Sequence, residues 1–145
     1  MSKENMQTFI GVKRIKAERV TLGDKDGYAV FYPDGHESWS PKDVFEAAYF
    51  PIDTADKISL ADVERWNMRS DKEVSTLGAK TTLVKVTMPT GFVDVEASSC
   101  VSPENYDEKL GAEIVMEHVT DRVWKMLGFV LQWANHGLND VPTIK

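Results

Sequence analysis

Thr81-Thr-Leu-Val-Lys-Val-Thr-Met88, Pro89-Thr-Gly91, Phe92-Val-Asp-Val-Glu-Ala97, Ser98-Ser-Cys-Val101 and Ser102-Pro-Glu-Asn-Tyr-Asp-Glu-Lys-Leu-Gly111 follow one another without a break. The first run is β-branched and alternating, which reads as a strand. Pro-Thr-Gly supplies a tight turn, and Phe92–Ala97 alternates again to complete a hairpin. After the small polar linker the spacing changes. Tyr106, Leu110, Ile114, Val115, Val119, Val123, Trp124 and Leu127 recur at helical intervals, predicting one long helix that opens at Ser102-Pro103. Gly111 and Gly128 interrupt it, and an interior Gly costs about 1 kcal/mol against Ala. Each is expected to permit a close helix contact or a bend. Asn135-His-Gly-Leu-Asn ends the helix, leaving a loose tail.

Upstream, Phe9-Ile-Gly-Val-Lys-Arg-Ile-Lys-Ala17 reads as a first strand and Tyr28-Ala-Val-Phe-Tyr32 as a strong second one. Pro33-Asp-Gly35 turns the chain into the short strand His36-Glu-Ser-Trp39, giving an antiparallel meander. Ser40 is expected to cap a helix with Pro41 at its first position and Val44, Phe45, Ala48 and Tyr49 on its apolar face. Ser59-Leu-Ala-Asp62 is a second capping signature, opening a short helix through Trp66. The fold class is therefore α+β: an antiparallel sheet, built from the N-terminal meander and the later hairpin, packed with a long C-terminal helix and shorter ones. Residues 1–66 form the meander with its short helices, and the polar stretch 67–79 is a linker. Residues 80–136 carry the hairpin and long helix in one unit with the first part, and 137–145 are a tail.

The chain has 145 residues, 42% of them hydrophobic, with four Trp and six Phe, enough for one domain or two small layers. No apolar run approaches the ~20 residues of a membrane span, and Met1–Thr8 lacks the apolar core of a signal peptide. A single Cys excludes an internal disulfide, and three scattered His give no zinc spacing. These readings predict a cytoplasmic protein without metal or cofactor and without a membrane partner. The net charge of −6 argues against binding a nucleic-acid polymer, while leaving room for a small anion in a local basic pocket.

No nucleophile elbow, phosphate-binding Gly-rich loop or zinc-protease helix is present. Cys100 beside two serines invites a nucleophile reading with His118 or His136 as base, but a lone Cys at a strand end is more often a small buried hydrophobe. Asp94 and Glu96 share a strand face, and a solvated surface explains them better than an acid–base pair. Ser98, Ser99 and Ser102 with Asn105 are the one polar cluster at a helix start, where free N–H groups favour anions. Helix capping by Ser102 and Asn105 is the plainer account of the same cluster.

Thr90-Gly91-Phe92, Ser99-Cys100, Pro103-Glu-Asn105-Tyr106-Asp107, Leu110-Gly111 and the later Val123-Trp124-x-x-Leu-Gly128-Phe129-x-Leu131-Gln132 together resemble the phage family named for gene product 49. Ile10-Gly-Val-Lys, Gly27-Tyr28, Tyr32-Pro-Asp-Gly35 and Ser38-Trp-Ser-Pro-Lys-Asp-Val-Phe45 resemble a recurrent phage module. The joint arrangement, from Ile10 to Gln132, resembles the anti-Thoeris sponge proteins. That resemblance implies sequestration without catalysis: binding of cyclic ADP-ribose isomers, and in some relatives cyclic trinucleotides, by a homo-oligomer, dimer or hexamer, in the infected bacterial cell. It implies a pocket between subunits that uses Asn105, with Arg122 as the nearest match for a helical Arg, Phe92 as the aromatic, and Ser98 and Ser99 beside them. Val95 stands where another candidate for that aromatic would be, a departure from the pattern. The alternatives are an accessory phage protein that only oligomerises, and a hydrolase acting through Cys100 or the Asp94/Glu96 pair.

Overall fold

The turn chemistry of the sequence sets the order of elements. The computed structural model describes residues 3–139, so most of the expected tail at 137–145 lies outside them. Two compact units emerge, one built from the two ends of the chain (Met1–Pro51 with Phe129–Lys145) and one from Ile52–Gly128.

In the first unit, strands β1 (Lys16–Arg19), β2 (Gly27–Phe31) and β3 (Glu37–Pro41) form an antiparallel meander, followed by helix α1 (Lys42–Ala48). The first strand is shorter than the expected Phe9–Ala17, and Phe9 and Ile10 lie exposed before it. Ser40 does not cap α1. It pairs with Tyr28 inside the β2–β3 ladder, leaving Pro41 at the N-cap with no side-chain bond. Strand register overrides the local signal. Gly27 is required by contact: a Cβ there would sit 2.4 Å from the Trp39 ring, whose Nε1–H donates to the Val20 carbonyl at 3.0 Å. Phe45 stacks between Tyr28 (4.1 Å) and Tyr49 (4.9 Å), fastening α1 to the sheet.

The second unit holds helix α2 (Leu60–Met68), strands β4 (Asp71–Leu77), β5 (Thr81–Thr87) and β6 (Val93–Ser99), a 3-10 turn at Pro103–Asn105, and the body of helix α3 (Glu108–His136). Its sheet runs β4-β5-β6, antiparallel throughout. The α+β class holds, with the strands in two three-stranded sheets where one had been expected. The stretch read as a linker at 67–79 contains β4. All seven of its residues are exposed, so no hydrophobic alternation marked it; only the backbone ladder to β5 makes it a strand.

The core is one layer of α3 on β5. Val84, Val86 and Met88 meet Val115, Val119, Val123 and Leu127, with Val63 of α2 closing the side. These eight buried apolar side chains, at about 1.5–3 kcal/mol each, supply the drive for this unit before chain entropy is subtracted. α2 is started as its sequence requires: Asp62 N–H donates to Ser59 Oγ at 3.1 Å and Ser59 N–H to Asp62 Oδ2 at 2.8 Å, a reciprocal capping box.

Candidate ligand site between strand end and helix start

β5 delivers two alternating faces. Thr82, Val84 and Val86 point at α3, and their register partners Ser98, Glu96 and Asp94 on β6 share that face. Asp94 and Glu96 are therefore not a solvated surface. Arg122, 28 and 26 residues further on, donates to Asp94 through Nε (2.8 Å) and to Glu96 through a terminal nitrogen (2.9 Å). His118 Nδ1 lies 2.7 Å from the other Glu96 oxygen. Val93 and Val95 occupy the opposite, exposed face. Partial burial pushes the Glu96 carboxyl up, but the Arg122 and His118 hydrogen bonds outweigh it, and the group sits below its ordinary range. The Arg122 guanidinium is raised by the bond to Asp94 first and Glu96 second. This cluster braces β6 against α3, and its guanidinium is already engaged with two carboxylates.

At the other end of β6 the polar groups are less committed. Ser99 Oγ and Thr81 Oγ1 lie 2.7 Å apart across the ladder. The Lys80 carbonyl accepts from Cys100 N–H at 3.0 Å, and Lys80 Nζ donates to the Val101 carbonyl at 3.2 Å. The Cys100 thiol, half-buried, donates to the Ser102 carbonyl at 3.1 Å. Asn105 closes the 3-10 turn, exposed, its N–H on the Ser102 carbonyl and its side-chain amide without a hydrogen-bond partner among the described residues.

Two devices fix this turn to the sheet. Tyr106 Oη lies within hydrogen-bond reach of Thr82 Oγ1 (2.9 Å) and Thr76 Oγ1 (2.7 Å). One turn into α3, Gly111 rests on Thr82, where a Cβ would come within 2.2 Å of Oγ1. The helix itself begins at Glu108, capped by Asp107 Oδ1 accepting from Leu110 N–H at 3.1 Å. Ser102 makes no side-chain cap, and Asn105 stands on the turn before α3 and not on the helix. The cap role moved because Pro103–Asn105 closes its own turn first.

The residues expected in one pocket are thus distributed. Ser98, Ser99 and Asn105 gather near the strand end. Phe92, 60% exposed, sits at the opposite end of β6, and at about 3.3 Å per residue the strand separates it from Ser98 by roughly 20 Å. Arg122 belongs to the brace. Lys80 is the cation that sequence reading missed; its position beside Cys100 and Val101 follows from the β5–β6 register and has no local signature. Among the described residues, no group of His, Cys, Asp and Glu is placed to hold a metal ion, and no helix is long and apolar enough to cross a membrane.

No curated protein and no solved structure matches the chain at a significant level. Residues 41–134, more than half of the chain and the whole of the segment from α1 through α3's last turns, match the sequence model of a phage family. The protein belongs to the phage protein (N4 Gp49/phage Sf6 gene 66) family.

Proposed function

We propose that this phage protein is a non-catalytic binder that sequesters a cyclic ADP-ribose-type signal, at a site completed between subunits of a homo-oligomer. The observation that carries the reading is the division of labour along β6. The candidate reacting groups along β6 are engaged elsewhere: Asp94 and Glu96 with Arg122 and His118, and the Cys100 thiol with a backbone carbonyl. The Asn105 amide and the Phe92 ring are exposed and available. An amide can donate to and accept from a base or ribose edge, and an aromatic ring can stack on adenine. Lys80 is the cation sited to meet a phosphate at the strand end, a better placed one than Arg122, whose partners an anion would have to displace. Because one protomer keeps Phe92 and Asn105 at opposite ends of β6, a pocket that uses both needs a second subunit to bring Phe92 to the amide.

The resemblance to sponge proteins supports the ligand class. Calorimetric titration with the cyclic ADP-ribose isomers tests it. Wild type should bind at least one isomer, and Asn105→Ala should weaken that binding by about 1–3 kcal/mol if its partner stays buried. Lys80→Ala should add salt-insensitivity to the remainder, since the phosphate contact is the screened one. Binding of no isomer by folded protein would favour the second reading, an oligomerising accessory protein. That alternative draws on the exposed apolar residues Phe129, Val130, Val93 and Val95.

A further inference from the structure

We propose that β4 is a seam between two copies of this chain, pairing antiparallel with β4 of a second subunit about a two-fold axis at Val74. β4 is an edge of its sheet, seven residues long, exposed at every position. Among the described residues none of its backbone groups bonds outside the ladder to β5. An open edge of this length is a template for another strand unless charge or shape forbids it.

Charge and the number of residues paired together decide which register fits. A two-fold axis perpendicular to the sheet keeps each side chain on its own face, so the axis must pass through a residue. Centred on Val74, all seven residues pair: Asp71 with Leu77, Lys72 with Thr76, Glu73 with Ser75, Val74 with itself. No like charges meet. Centring on Glu73 opposes two glutamates, centring on Lys72 opposes Asp71 to Glu73, and centring on Ser75 opposes no like charges but leaves Asp71 and Lys72 outside the paired strands. The other edge of this sheet fails the same test, because axes at Asp94, Val95 or Glu96 of β6 all set carboxylates against each other. β1 offers only four residues.

The Val74 register also joins two charges that are unmatched within one copy. Lys72 makes no ion pair among the described residues and shares the helix-facing side of the sheet with Val74 and Thr76. The Thr76 hydroxyl donates to the carboxylate of Glu108 at the start of α3, and Glu108 likewise has no cation. Pairing sets Lys72 directly opposite Thr76 of the partner subunit, within reach of Glu108 of the partner subunit, twice per dimer. The seam holds whether or not a nucleotide binds, so it is tested without one.

Sedimentation equilibrium of the full chain gives the test. Wild type should dimerise. Lys72→Glu and Glu108→Lys should each raise the dimer dissociation constant about tenfold or more, since each sets two like-charge contacts across the seam. Mixed together, the two variants should form a heterodimer tighter than either homodimer, because every seam contact is then of opposite sign. A second pair guards against a folding defect at the helix start: Ser75→Glu should weaken the dimer, and Glu73→Lys added to it should restore it, with circular dichroism unchanged throughout. A monomeric wild type would leave the edge to a strand from another protein and overturn the proposal. So would a dimer indifferent to these substitutions, or a mixture that fails to associate.

Discussion

Asp62 is fully buried, and its carboxylate is held by the backbone N–H groups of Ser59 (2.8 Å) and Asp53 (2.9 Å) and by the Arg65 guanidinium. Removing it strips two backbone donors of their acceptor at once and takes one carboxylate from Arg65, which keeps its bond to Asp53. Asp62→Ala should therefore destabilise the protein by about 2–4 kcal/mol in chemical denaturation, more than an ordinary cap loss of about 1 kcal/mol. Glu96 makes a pH-dependent contribution of known sign. Its folded-state carboxyl lies below the ordinary value of 4.5, so its stabilisation is present above that value and is lost as the pH falls through the lowered one. Melts taken from about pH 6 to about pH 3 should show acid destabilisation that Glu96→Gln flattens in part. An unchanged profile in that variant would mean the brace carries no net weight. The capping box of Ser59 and Asp62 was legible in the sequence because its partners are three residues apart. The Arg122 bridge was not, because its carboxylates lie 28 and 26 residues away and only the β6–α3 packing joins them.

Elements differ in how well their own residues announce them. The β5–β6 hairpin was readable, since Pro89-Thr-Gly91 dictates a tight turn and Gly91 adopts φ 85° there. β4 was not, because both its faces meet solvent and no period-2 pattern is imposed on it. The two α3 glycines separate by what they touch. At Gly111 an added methyl gains about 1 kcal/mol of helix propensity but collides with the buried Thr82 side chain, for which overpacking costs about 1–3 kcal/mol. Gly128 has nothing within 4 Å of an added Cβ. Gly111→Ala should accordingly lower the melting temperature, while Gly128→Ala should leave it unchanged or raise it. Equal effects at the two sites would remove the close helix–strand contact from the account of how the 103–105 turn is positioned.

At the scale of the whole molecule, family membership makes this a phage protein, and the placement of polar groups bears on the proposed site. The family match spans α1 through most of α3, so the brace, the strand end and the turn all lie within it. Sequence alone suggested one pocket from Phe92, Ser98, Ser99, Asn105 and Arg122. The fold divides them because successive β6 residues march along a strand, whatever their proximity in the chain. The pocket proposed between subunits is what would bring Phe92 of one copy to Asn105 of the other, with Arg122 left in its brace. On the proposed function the ligand is held and released unbroken. The direct measurement is to incubate the protein with cyclic ADP-ribose isomers, remove unbound nucleotide, denature the protein, and identify what is released by mass spectrometry. Intact cyclic nucleotide should be recovered, in equal amount from wild type and from Cys100→Ser. Linear ADP-ribose in the released fraction, or its loss on substituting Cys100, would contradict it.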